Sequence, residues 1–262
     1  TAAFYRAKQI QLYQNLLIDL STSAKQLFGE NFTLKCIITN NYLRLSLIND
    51  CGFSISNLIK ENFEDHKKSI HFYTFFAPEI KKNGMEKVIQ FYKLEQYCTE
   101  LFIKERNDSL NPESLAHSII FDDVDKFQDI CSQNNVDLNS IIHHSFLDIN
   151  TFIEQKDLSL IEYSAYYGSL QIFKFLLLNS AKFTDNLPLY AIIGGNYEII
   201  HLIEKNRHIK FNQISIETAV LFHRNELVEY LINNYELKIN LNCLFNSIVS
   251  QNVDFFKTYF HK

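Results

Sequence analysis

Tryptophan is absent from these 262 residues, and the chain holds only six glycines and three prolines. So few breakers starve a chain of β-turns and leave helices joined by short polar links as the expected architecture. The five cysteines, Cys36, Cys51, Cys98, Cys131 and Cys243, include no C-x-x-C. That excludes a zinc ribbon or a thioredoxin-type motif, and an odd, scattered set reads as buried, reduced thiols of an intracellular, cytoplasmic protein. No apolar run reaches the roughly 18 residues of a membrane span, and the residues after Thr1 form no signal peptide. H-E-x-x-H, G-x-x-x-x-G-K-[ST], G-x-S-x-G and G-x-G-x-x-G are all missing. The motif-bearing hydrolase, nucleotide-binding and dinucleotide-binding classes therefore have no footing, and no catalytic residue, cofactor or metal is expected.

What the chain does have is apolar mass. Hydrophobic residues make up 47% of it, with 23 Phe and 14 Tyr, enough to build a core and to argue against disorder. Charge is unevenly spread. Residues 1–110 carry 14 basic and 12 acidic side chains, a balance of +2, whereas residues 111–262 carry 11 and 18, a balance of −7. An acidic second half lacks the clustered basic face that nucleic acid requires, and is better suited to a protein partner with a basic patch.

Residues 1–110 read as a helical N-terminal region. Phe4, Ala7, Leu12, Leu16, Leu20 and Leu27 predict one helix over 3–28, stopped by Gly29. Apolar residues three and four apart predict helices over 32–48 and 54–63. Lysine pairs, Lys67-Lys68 and Lys81-Lys82, flank the aromatic run His71-Phe72-Tyr73-Thr74-Phe75-Phe76, read as a buried helix ended by Pro78. Val88, Ile89, Tyr92, Leu94, Tyr97 and Leu101 line one side of an expected helix over 84–105. The chain then resets, with Asn111 as a cap and Pro112 as a first helical residue.

The densest signal lies in Ser159–Ala181, SLIEYSAYYGSLQIFKFLLLNSA, where Ile161, Ala165, Leu170, Ile172, Phe173, Leu176 and Leu177 make two helical faces broken once, at Gly168. The unit recurs. Gly195 follows Gly168 by 27 residues, Ala219 follows Ala191 by 28, and Glu198, Glu226 and Asp254 open second helices 28 apart. Residues 113–132 look like a degenerate copy, with Asp122-Asp123 in the turn. The surplus between it and Ser159, about 139–156, is expected to be an inserted loop or short helix.

These units resemble the ankyrin repeat, T-P-L-H-x-A-A-x-x-G-x-x-E-V-V-x-x-L-L-x-x-G-A. Ser159, Leu160, Ile161 and Glu162 stand at T-P-L-H, Ser164-Ala165 at A-A, and Gly168 at the turn glycine. Ile172-Phe173, Leu176-Leu177 and Ala181 take the V-V, L-L and final Ala positions. A period of 28 is shorter than the family's roughly 33. The layout is similar to ankyrin families expanded in anaerobic protists. The resemblance implies an all-α protein without a sheet, a helical N-terminal region (1–110) followed by an ankyrin-repeat solenoid (111–262) of about five helix pairs.

In an ankyrin stack the two residues before the turn glycine face a concave groove. The resemblance thereby implies partner-binding positions at Tyr166, Tyr167, Ile193, Leu221 and Phe222, and Tyr190 on the same inner helix as Ile193 is counted with them. The function it implies is a scaffold that binds another protein through that groove. The alternative is a permanent component of a larger assembly, for example cytoskeletal, with N-terminal helices or the insertion burying the groove. Oligomeric state is left open. His143-His144 with Asp148, and Asp122-Asp123-Asp125, are the remaining suggestive clusters. Adjacent helical histidines point about 100° apart, and the acidic run lacks a calcium loop's glycine and final glutamate, so neither is expected to hold a metal.

Overall fold

The computed structural model describes residues 10–34, 40–56, 59, 70–108, 110–148, 156–205 and 210–260. The fold is all-α. Its contacts divide the chain into two units, Arg6–Asn111 with Ser145–Glu154, and Thr1–Tyr5 with Pro112–His144 and Gln155–Lys262.

In the first unit the elements are α1 (Ile10–Phe28), α2 (Asn41–Asp50), α3 (Ile70–Phe75), α4 (Ala77–Lys82), α5 (Glu86–Tyr92) and α6 (Glu100–Asp108). Gly29 follows α1 with φ +74, so the expected helix stop stands. The expected start at residue 3, most of 54–63, Cys36 and Lys67-Lys68 lie outside the described residues. Phe72–Phe75 of the aromatic run are helical and buried, but the helix stops at Phe75, before Pro78. Pro78 sits in the first turn of α4, where a missing N–H costs nothing. The single helix expected over 84–105 is broken. Lys93 turns left-handed, and Leu94 donates its N–H back to the carbonyl of Ile89 at 2.9 Å, which drives the Leu94 side chain into the core.

That core gathers Leu47, Phe72, Tyr73, Phe75, Phe76, Ile80, Ile89 and Leu94, with Leu147 from the short returning segment. Tyr42 Oη donates to the carbonyl of Leu147 at 2.5 Å and ties that segment in. A buried ion pair crosses the same unit: Arg106 meets Glu79 at 2.7 and 2.8 Å and donates to the carbonyl of Phe75 at 2.6 Å. Removing either partner would strand a charge in the core.

The second unit is a succession of helix pairs: α7 (Ser114–Ile120) with α8 (Val124–Asn134), α9 (Leu160–Tyr167) with α10 (Leu170–Leu178), α11 (Leu187–Gly194) with α12 (Tyr197–Glu204), α13 (Gln213–Leu221) with α14 (Asn225–Tyr235), and α15 (Leu241–Val249) with α16 (Val253–Phe260). First helices pack on first helices in order, α7 on α9, α9 on α11, α11 on α13 and α13 on α15. Second helices α8, α10 and α12 pack likewise. α7 starts two residues later than expected, at Ser114, with Glu113 as its boundary and no side-chain cap.

The expectation of no sheet in this half needs correcting. Between the first two pairs, β1 (Ile141–Ile142) pairs antiparallel with β2 (Leu158–Ser159), registering Ile141 with Ser159 and Ile142 with Leu158. Two β-branched residues in a segment too short for a helix turn outward bonding into a ladder. This pairing closes the base of the insertion, whose residues 149–155 lie outside the described set. Cysteine burial also departs from expectation: among the described thiols Cys243 is buried, but Cys51, Cys98 and Cys131 are partly exposed.

Candidate functional site

Every pair turns at the same slot. Asp122, Gly168, Gly195, His223 and Gln251 all have positive φ, at 53°, 71°, 72°, 59° and 59°. Sequence spacing marks two of these through glycine and hides three behind ordinary side chains, which hold the left-handed region at a cost. Gln251 is exposed. Gln251→Gly should therefore raise stability by about 0.5 kcal/mol, read as a small upward shift in the denaturation midpoint.

The residue one step after the slot locks each pair to the one before. Ser169 Oγ donates to the carbonyl of Ile119 at 2.5 Å, and Asn196 Nδ2 to that of Gly168 at 3.0 Å. Arg224 Nη2 donates to the carbonyl of Ile193 at 2.6 Å, and Asn252 Nδ2 to that of Val220 at 2.9 Å. Asn196 and Asn252 work twice, because each Oδ1 also accepts from the first turn of its own second helix. α10 is capped instead from the preceding pair: Asp122 accepts from the backbone N–H groups of Gln171 and Ile172 at 3.1 and 3.0 Å. Burial lowers the Arg224 pKa, and its guanidinium is committed to backbone carbonyls rather than to the shallow recess it lines with Tyr197 and Glu226. None of these locking residues belongs to the groove set read from the sequence. A polar residue just after each turn slot was the available signal.

The groove positions are not free. Tyr166, Tyr167, Tyr190, Ile193 and Phe222 are buried, and Leu221 is half-buried. Tyr167 packs its ring 4.9 Å from Tyr163 and 5.1 Å from Tyr166, and Tyr166 lies 6.4 Å from Tyr190. Burial, with the Glu162 carboxylate nearby, pushes the Tyr190 hydroxyl up to about 12. These aromatics are buried rather than open to solvent. The same slot is exposed only at Phe121, 60% accessible.

Glu162, placed at the histidine of the repeat pattern, is also structural. It completes a capping box with Ser159 and accepts from Thr184 Oγ1 at 2.5 Å. The histidine pair meets Asp157: His143 Nδ1 and His144 Nδ1 each lie 3.1 Å from one oxygen of that carboxylate. The His144 backbone N–H, then the two imidazoles, hold the Asp157 carboxyl down to about 2. The three side chains pin the base of the insertion beside the strand pair. Among the described residues no group of His, Cys, Asp and Glu has the arrangement of a metal site, and no helix is long and apolar enough to cross a membrane.

One surface feature repeats with the pairs. Asp125, Gln171, Glu198, Glu226 and Asp254 occupy the first turns of successive second helices, and all five are exposed. The four carboxylates, at every position but Gln171, suit the positive helix ends. Lys174 Nζ reaches Glu198 at 3.0 Å and Tyr197 Oη reaches Glu226 at 3.1 Å, leaving the row acidic on balance.

The last three helix pairs are also the stretch that resembles a known family. A family model described as a domain of unknown function, DUF3447, matches residues 178–260. No curated protein and no solved structure matches the chain.

Proposed function

We propose that the chain is a non-catalytic interaction module whose second unit is an ankyrin-type repeat solenoid that binds another protein. One observation carries the reading most: five helix pairs share a turn slot, and a side chain beside it bonds each pair to its predecessor. Such an array lays equivalent residues along a line, the layout of an extended binding surface rather than a pocket. The matched family is found in ankyrin-repeat-like proteins, which supports the same reading.

Because the tyrosine groove is filled, the binding surface we assign is the exposed row Asp125, Glu198, Glu226 and Asp254, and its partner is a protein with a basic patch. The test is a pull-down from native cells with the full chain and with a Glu198→Gln, Glu226→Gln, Asp254→Asn variant. The variant should keep its melting temperature within a few degrees, since exposed substitutions cost little. Capture of the specific partner should fall about tenfold or more and weaken with salt. Undiminished capture by a folded variant would sink this surface. A permanent place in a larger, for example cytoskeletal, assembly is the second reading, favoured by apolar residues exposed within the array at Phe121 and Leu178; on that reading the isolated chain aggregates.

A further inference from the structure

We propose that Ser145–Asp148 is a latch: a strap encoded inside the repeat array that completes the core of the first unit, so that loosening either unit at the strap loosens the other. Chain order supplies the first observation. The chain leaves the second unit after His144, and Lys156 and Asp157 are again part of it. In sequence the strap lies between the first and second helix pairs, yet it packs with the first unit. Its middle is fastened there by specific contacts. Ser145 accepts the N–H of Leu147 on Oγ at 3.2 Å and the N–H of Asp148 on its carbonyl at 3.0 Å, a tight turn that presents Phe146 and Leu147. Leu147 is buried in the first unit's core, and its carbonyl takes the Tyr42 hydroxyl. Phe146 stacks on His71 at 5.2 Å and lies 6.5 Å from Phe102. The Tyr42 ring in turn meets Phe75 edge-on at 4.9 Å, which carries the fastening to α3.

The two ends are fastened separately, in the second unit. Ile141 and Ile142 pair with Ser159 and Leu158, and the Leu160 N–H donates to the carbonyl of Ser140 at 3.2 Å. The Asp157 carboxylate holds both imidazoles and also accepts from the His144 backbone N–H at 3.0 Å. Docking Phe146 and Leu147 closes a loop, and the entropy lost in closing it grows with the length of free chain. Pinned ends keep that loop short, which raises the effective concentration of the two apolar side chains at their site. A docked strap favours the strand pairing by the same amount, because coupling between two sites is reciprocal. Anything that stabilises the first two helix pairs therefore also firms the first unit. The latch does not depend on the acidic row or on the partner assigned to it.

Hydrogen exchange of the full chain, read by mass spectrometry, tests it. Asp157→Ala removes an exposed side chain of the second unit. It should nevertheless speed exchange in the first-unit peptides covering α3 and α4 by about tenfold, with an unchanged circular dichroism spectrum. Tyr42→Phe removes one hydroxyl in the first unit and should speed exchange in the peptide holding Leu160 to a similar extent. Asp129→Ala, at an exposed acid on α8, should change neither region. Wild-type rates in α3 and α4 of Asp157→Ala overturn the latch, as does a Tyr42→Phe effect confined to the first unit. An acceleration in Asp157→Ala that extends evenly to α13–α16 overturns it too, since that is general destabilisation.

Discussion

Gly194→Ala should destabilise the protein by about 3 kcal/mol or more, although it adds a single methyl group. A Cβ at this position would lie 2.1 Å from the carbonyl oxygen of Ala165 and 3.0 Å from that of Tyr166. Both obstacles are backbone, so neither can rotate away. The end of α11 must then withdraw from the end of α9, loosening an interface that buries Leu160, Ile161, Ala191 and Ile192. Gly168 makes the contrast. It holds the turn at φ +71, but a Cβ there would meet only Asn196 Cβ and the carbonyl oxygen of Gly194, both at 3.6 Å, ordinary contact distances. Gly168→Ala therefore brings left-handed strain of about 1 kcal/mol without a clash. Denaturant unfolding of both variants ranks them. Equal midpoints, or a Gly168→Ala loss exceeding that of Gly194→Ala, would show that α9 and α11 do not approach this closely.

Tyr167→Ser combined with Phe222→Ser should cost stability on a still larger scale, about 3–5 kcal/mol for each buried ring, and should leave little folded protein. Both side chains are buried, at 8% and 7% exposure, and the Tyr167 ring packs tilted against Tyr163 and edge-on to Tyr166. Had they been open anchors in a groove, the same double substitution would have spared folding and abolished binding. The control is Phe121→Ser, in the same slot of the first pair but 60% exposed, which should cost less than about 0.5 kcal/mol. Thermal melts of the three variants separate the readings: a double variant that melts like wild type would return the tyrosines to the surface.

The helix pairs were legible in the chain itself. Ile172, Phe173 and Leu176 recur at helical spacing, and they are all fully buried on α10, because a helix must turn its apolar stripe toward whatever it packs on. The period was equally legible, since Gly168, Gly195, Glu198, Glu226 and Asp254 sit where local turn and helix-end chemistry require them. These features depend on neighbours within a few residues, and a linear sequence displays such neighbours directly.

Which slots are open was decided elsewhere. Phe121, Tyr167 and Phe222 occupy equivalent positions before the turn, yet the first is exposed and the others are buried. Likewise Asp122 caps a helix some fifty residues away, Asp157 joins the histidine pair, and Gly194 is needed for an approach of backbones rather than for its own φ. Phe76 and Lys93 interrupt helices whose apolar spacing runs on unbroken. Burial and close approach are properties of two segments brought together across tens of residues. Local periodicity sets which face of each helix is apolar, and only the tertiary structure decides what covers it.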